Sequence, residues 1–134
     1  MTKSSVWASV LLLVFVLCGA ACGSSPATIR IGVMLPLSGP NAVGSRMPLR
    51  WAADNVNAAG GIDGRHITFV YRDIARQPVT TVAASLASDS SIAAVIGPAD
   101  SGDALRVVST FYRAHKVIVS PSATSADLFR AFSS

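Results

Sequence analysis

The chain is short of charge, of cysteine and of one kind of acid. Only 13% of its 134 residues are charged, well below the ~25% of an average soluble domain. It has no glutamate, and its seven acidic residues are all aspartates. An acid/base pair would have to be assembled from separated aspartates. Two cysteines, Cys18 and Cys22, are too few for a disulfide scaffold. The two histidines, His66 and His115, have no Cys or His partner at metal-ligand spacing and read as surface or capping residues, so no metal is expected. GxGxxG, GxxxxGK[ST] and GxSxG are all missing, which removes nucleotide binding and the serine-nucleophile elbow. These gaps argue against an enzyme and against a cofactor. The eleven Lys and Arg lie singly between Lys3 and Arg130, with no basic run, so the net charge of +4 implies no nucleic-acid partner.

Hydrophobic residues are what the chain does have, at 51%. That excludes disorder for most of its length, and the length itself allows one domain. Part of the excess sits in Val6 to Leu17, VWASVLLLVFVL, behind a positive start carrying Lys3. A positive n-region, a short apolar run and small residues at Gly19, Ala20 and Ala21 describe an export signal over residues 1–21. The run is shorter than the ~20 residues of a spanning helix. Gly19-Ala20-Ala21-Cys22 resembles a bacterial lipoprotein signal, which implies that Cys22 is lipidated and becomes the new N-terminus. Cleavage there removes Cys18 and leaves no partner for a disulfide. Residues 22–28 then form a small, polar tether.

From Ile29 onward, residues 29–134 read as alternating strands and helices. Ile29, Ile31, Val33 and Leu35 alternate as a strand, and Pro36 to Gly44 follows as a loop. A helix from Ser45 to Ala59 has Leu49, Ala52, Ala53 and Val56 on its inner face and stops at Gly60-Gly61. Asp63-Gly64 turns the chain into a second strand, Ile67 to Tyr71. A second helix, Pro78 to Ala87, buries Val79, Val82, Ala83 and Leu86. The third strand, Ile92 to Ile96, is apolar throughout and should be covered on both faces. A third helix, Asp103 to Ala114, turns Leu105, Val108 and Phe111 or Tyr112 inward. Val117 to Val119 is a fourth strand, and Ala126 to Phe132 begins a fourth helix.

This alternation predicts an α/β fold, an open doubly wound parallel sheet with right-handed crossovers. Ligands of such sheets bind beyond the carboxyl ends of the strands. Three loops lie there: Pro36 to Gly44, Gly97 to Gly102 and Ser120 to Thr124, all rich in small polar residues. Asp100 and Asp103 have the spacing of a capping box, which would place Ser101 beside free N–H groups at a helix start. Ser101 could equally cap that helix and nothing more. Ser122, Thr124 and Ser125 are plausible caps of the last helix. Two polar helix starts at the carboxyl ends of strands point together to a small polar ligand.

The stretches IRIGVMLPLSGPNA (29–42), NAAGGIDGRHITFVYRD (57–73), AAVIGPADSG (93–102) and VIVSPSATS (117–125) carry a family resemblance. In wording, order and spacing they resemble the first lobe of branched-chain amino acid type solute-binding proteins of ABC importers, which have the type 1 periplasmic binding fold. Such proteins are two-lobed clamps that deliver a small solute to a membrane permease. The resemblance implies a solute carboxylate held by Ser101, with Ser122 and Thr124 contributing from the next loop. It also implies an exported, lipid-anchored protein facing the periplasm or cell exterior. Its partners would be an amino acid, amide or similar small solute, and an ABC permease. A ligand-sensing receptor ectodomain of the same fold, or a gene remnant without binding function, are the other readings.

Several features depart from the family. The loop after the first strand is short and offers Val43 where an aromatic residue is common. Pro48 is unusual in the first helix, and a cysteine pair that links two loops in some members is missing. Family chains are also more than twice as long, so the expectation is part of one lobe with an uncovered sheet edge.

Overall fold

A computed structural model describes residues 28–40 and 42–130. The export signal, Cys22 and most of the tether lie outside the described residues, as does the end of the last helix beyond Arg130.

Four strands, β1 (Ile29–Leu35), β2 (Ile67–Asp73), β3 (Ile92–Ile96) and β4 (Val117–Val119), form one parallel sheet in the order β2-β1-β3-β4. The helices α1 (Ala42–Ala58), α2 (Val79–Ser88), α3 (Ser101–Arg113) and α4 (Ala126–Arg130) alternate with them. The sheet is therefore the expected doubly wound one, and the chain reverses direction between β1 and β3. β1 and β3 have the expected bounds, and β2 runs two residues further.

The main core lies between the sheet and the helices α2 and α3. Met34, Val82, Ala83, Leu86, Val95, Val107 and Phe111 are all buried there. The four inward residues of α2 are those its periodicity indicates. In α3 the buried stripe is Ala104, Val107 and Phe111, one residue earlier than the expected Leu105 and Val108. Leu105 lies on the surface and Tyr112 is 73% exposed. Asp100 accepts from the N–H of Asp103 at 3.1 Å, so the helix starts at Ser101 instead of Asp103, and its packing against α2 and the sheet through Val107 and Phe111 sets the buried stripe.

The opposite face carries α1 and a smaller cluster of Val33, Leu35 and Leu37, with Leu49, Phe69, Tyr71, Ile96 and Ala99 against it. α1 begins at Ala42, three residues before the expected start, which shortens the first loop further. Ala53 is buried and Leu49 and Val56 half-buried, but Ala52 is exposed. β3 is covered on both faces, with Val95 in the main core and Ile96 against the α1-side cluster, except at Ala93. The register between β1 and β3 skips Ala93, pairing Arg30 with Ile92 and Ile31 with Ala94. This irregularity lets Ile92 and Val95 join the same core and leaves Ala93 exposed. Beyond β3, Val117 and Val119 are 62% and 56% exposed on the sheet's outer strand. No described helix covers the α1 side at that point.

Two local devices set the strand ends. At the amino end, the Asn57 side chain acts as a surrogate strand. Its Nδ2 donates to the Ile67 carbonyl at 2.9 Å and its Oδ1 accepts from the Ile67 N–H at 2.7 Å. The helix stops just beyond, where Gly60 and Gly61 adopt positive φ as expected. Asp63-Gly64 then forms a tight turn closed by two 2.9 Å bonds between Ile62 and Arg65. At the carboxyl end, Gly97 has φ +101°, and a Cβ on it would lie 2.1 Å from the Met34 carbonyl oxygen. Only glycine lets the end of β3 run this close to β1. The following Gly97-Pro98 peptide is cis.

Candidate functional site

The three loops named from sequence meet at the carboxyl edge of the sheet, around the reversal between β1 and β3. This is the place where open parallel sheets bind ligands.

The loop after β3 and the loop after β4 are joined by hydroxyls. Ser120 Oγ donates to the Pro98 carbonyl at 2.6 Å and accepts from the Ala123 N–H at 3.0 Å. Ser122 Oγ donates to the Ala99 carbonyl at 2.9 Å. Ser101 Oγ accepts from the N–H groups of Thr124 at 3.1 Å and Ser125 at 3.3 Å. Ser101, Ser122 and Thr124 are thus brought together as the sequence indicated. Their chemistry differs, however. The Ser122 proton is spent within the protein, whereas Ser101 accepts twice and its own proton has no acceptor among the described residues. Thr124 is exposed.

The start of α3 adds further donors. Asp100 takes the N–H of Asp103 with its side chain and that of Ala104 with its carbonyl. The N–H groups of Ser101 and Gly102 remain, on a thirteen-residue helix whose dipole favours a negative charge at this end. The capping box is only half formed. The Asp103 carboxylate turns to Arg106 at 3.5 Å instead of reaching back to Asp100.

Two residues that sequence reasoning passed over hold the site together. One is Ser120, described above. The other is Asp73, at the end of β2. Its carboxylate accepts from the Leu37 N–H at 2.8 Å and the Ala75 N–H at 3.0 Å, and lies 3.6 Å from Arg76. Partial burial raises the Asp73 pKa. Hydrogen bonds from Leu37, from the Ser38 hydroxyl and N–H, and from Ala75 outweigh that and hold it below the usual carboxylate value. Asp73 thereby fixes the loop after β1 against the sheet. Its only sequence signal was its place at the end of the stretch NAAGGIDGRHITFVYRD.

Behind these loops, on the α3 side of β4, a cleft of ≈ 180 Å³ is lined by Pro98, Ala104, Val108, Ile118, Ser120 and Leu128. Its walls are mostly apolar, unlike the hydroxyl-rich loops in front. Among the described residues no group of His, Cys, Asp or Glu could hold a metal ion. His66 and His115 are exposed and precede β2 and β4, at the far end of the sheet.

A four-stranded parallel sheet with this reversal, and a hydroxyl-lined helix start beside it, invites comparison with known binding folds. A family model described as periplasmic binding protein matches residues 28–132. The chain belongs to that family. A Leu/Ile/Val-binding protein, BraC3 of Rhizobium johnstonii, is 35% identical over 106 residues, covering 76% of this chain and 29% of the relative. BasB of Halobacterium salinarum, a substrate-binding protein of a chemotactic signal transduction system, is 32% identical over 104 residues. That match covers 72% of this chain and 25% of BasB. Among solved structures, the branched-chain amino acid binding protein LivJ of Streptococcus pneumoniae, in complex with isoleucine, superposes with a TM-score of 0.69. It is 35% identical, over 78% of this chain and 31% of LivJ. The chain thus spans between a quarter and a third of the length of these relatives. The periplasmic binding fold and the likeness to its branched-chain amino acid type both agree with the resemblance seen in sequence.

Proposed function

We propose that this chain supplies the first-lobe half of a solute site in an exported binding protein that serves an ABC importer. The solute is an amino acid or a similar small molecule with a carboxylate. Ser101 donates its hydroxyl proton to that carboxylate, and the N–H groups of Ser101 and Gly102 add two donors at the helix start. Ser122 keeps the β4 loop in place, and Thr124 offers a hydroxyl to the solute's ammonium group. Lipid on Cys22 would hold the protein to the outer surface of the cell membrane. The observation that carries this reading is the Ser101 hydroxyl, which accepts two N–H groups from the β4 loop and has its proton left to give.

Bound isoleucine in LivJ and the Leu/Ile/Val-binding relative favour an aliphatic amino acid. One lobe leaves the solute open to water, so affinity for the isolated chain falls near ~1 mM or weaker. A heteronuclear NMR titration of the full chain with L-isoleucine tests this. Amide shifts should move at residues 97–103 and 120–125, and the movement should vanish in Ser101→Ala. Shifts that persist in Ser101→Ala would remove the serine from the site. BasB keeps a sensing role as the second reading, since that relative serves chemotactic signalling. Fatty-acid labelling that is lost in Cys22→Ala would support the anchor, and labelling that persists would contradict it.

A further inference from the structure

The basic residues are scattered in sequence, but the fold gathers several of them at the amino edge of the sheet. Arg30 opens β1, Arg65 and His66 precede β2, and Arg113, His115 and Lys116 lead into β4. Asp63 and Asp89 are the acids at this edge. Arg30 donates to the Ser91 hydroxyl, and Lys116 Nζ donates to the carbonyls of Asp89 and Ile92. Neither cation takes a carboxylate as its hydrogen-bond partner, although both stand near Asp89. The Asp89 carboxyl is held below its usual value first by the Ser91 hydroxyl and N–H, against partial burial, and then by these two cations. Arg65, His66, Arg113 and His115 are exposed.

The site end of the molecule is built differently. The ion pairs among the described residues are Arg76–Asp73, Arg106–Asp103 and Arg130–Asp127, at 3.6, 3.5 and 3.0 Å. All of them lie on the carboxyl side, each joining an arginine to an aspartate three residues earlier. Carboxylates there neutralise these arginines, whereas at the amino edge Arg65 and Arg113 are exposed and form no ion pair among the described residues. The ends of α1, α2 and α3 also point to the amino edge, and Arg113 in the last turn of α3 offsets that helix's dipole. Arg30 and Arg65, on a strand and a turn, have no such duty.

The chain enters the lobe at this same edge. The Ile29 N–H donates to the His66 carbonyl at 2.8 Å, so the tether leaves beside Arg65 and His66. Gly23 to Thr28 is six residues long; at ~3.3 Å each it reaches no more than about 20 Å. A membrane holding lipid on Cys22 therefore lies within that distance of the start of β1, beside Arg65 and His66. Beside them the Ile62–Arg65 turn projects an isoleucine that is 46% exposed.

We propose that the amino edge of the sheet is the face this lobe turns to an anionic lipid surface, with the exposed Arg65 and Arg113 toward the headgroups and the half-buried Arg30 and Lys116 adding positive charge behind them. The loops carrying Ser101, Ser122 and Thr124 then face away from the bilayer. This rests on the reading of residues 1–21 as an export signal, of Cys22 as the lipid-bearing residue and of residues 22–28 as the tether. A tether this short lets the cations approach to within a Debye length of the headgroups, about 8–10 Å, where their attraction is felt.

The test is hydrogen exchange on the full chain, expressed with its own leader and reconstituted in two kinds of vesicle. One is phosphatidylcholine alone and the other contains phosphatidylglycerol. Backbone amides at 62–66 and 113–117 should exchange at least ~3-fold more slowly on the anionic vesicles, and 1 M salt should abolish the difference. Amides at 97–103 should be unchanged. The double variant Arg65→Gln, Arg113→Gln should stay on both vesicles but lose the protection. Attachment to both vesicles with equal exchange would overturn the orientation and leave the anchor standing. Attachment to neither would overturn the anchor and the orientation together. If the variant loses stability but keeps its lipid-dependent protection, the arginines only support the fold and the proposal is wrong.

Discussion

The two faces of the sheet are built to different standards. On the α2/α3 face, Met34, Leu86, Val95, Val107 and Phe111 are shut off from solvent and belong to one cluster. On the α1 face the buried cluster is Val33, Leu35 and Leu37, and it stops short of β4, whose Val117 and Val119 stand exposed. Tyr71 on this second face buries its hydroxyl with no hydrogen-bond partner among the described residues, beneath Arg46 at 5.5 Å from its ring. Burial raises the Tyr71 pKa, and Arg46 and Arg50 offset only part of that. Stability therefore resides mainly on the α2/α3 face, while the α1 face has apolar surface to spare.

Breaking the stronger face should cost most. Phe111→Ala removes its largest fully buried side chain and should destabilise the chain by about 4 kcal/mol, read as a fall in the urea midpoint. Leu37→Ala on the α1 face should cost less, about 2 kcal/mol, because its cluster is small and the site can relax. Equal losses at the two positions would refute the comparison. Tyr71→Phe removes the unpartnered hydroxyl and should leave stability unchanged or raise it by up to about 1 kcal/mol. Val119→Thr should move stability by no more than about 0.5 kcal/mol while reducing self-association of the exposed strand. A large loss in that variant would mean that β4 is covered.

Acid provides a separate handle on the first loop. The Asp73 pKa is lower in the folded chain than the ~3.9 of a free aspartate. Its contribution is therefore fully present above that free value and disappears as pH falls through the lower folded value. Between roughly pH 4 and the folded pKa, Asp73→Asn should flatten the acid-unfolding curve. An unchanged slope would show that the carboxylate does not hold the Leu37 loop.

Much of the fold was legible because its signals are local. Alternation gave β1, the apolar run IAAVI gave β3, and the spacing of Val79, Val82, Ala83 and Leu86 gave the buried face of α2. Gly60-Gly61 and Asp63-Gly64 marked the entry to β2. Longer-range features could not be read in this way. The skipped Ala93 depends on how β1 and β3 pair, and it decides which residues of β3 face the core. The buried stripe of α3 depends on how the helix packs against α2 and the sheet, which its own spacing does not fix. Ser101, Ser122 and Thr124 stand as candidates on the resemblance, and the fold places them close together. The bonds from Ser120 to Pro98 and from Leu37 to Asp73 span 22 and 36 residues, and no local pattern announces them. The clustering of arginines at the amino edge is likewise a product of parallel strands, which bring every strand start to one side.

In the proposed site Ser101 is the group that meets the solute's carboxylate. NMR titration of the full chain with L-isoleucine, alongside isoamylamine, which lacks the carboxylate, tests that directly. Isoleucine should move the amides of Ser101, Gly102 and Thr124 while isoamylamine leaves them in place, and Ser101→Ala should abolish the response. Equal responses to both compounds, or an undiminished response in Ser101→Ala, would contradict it.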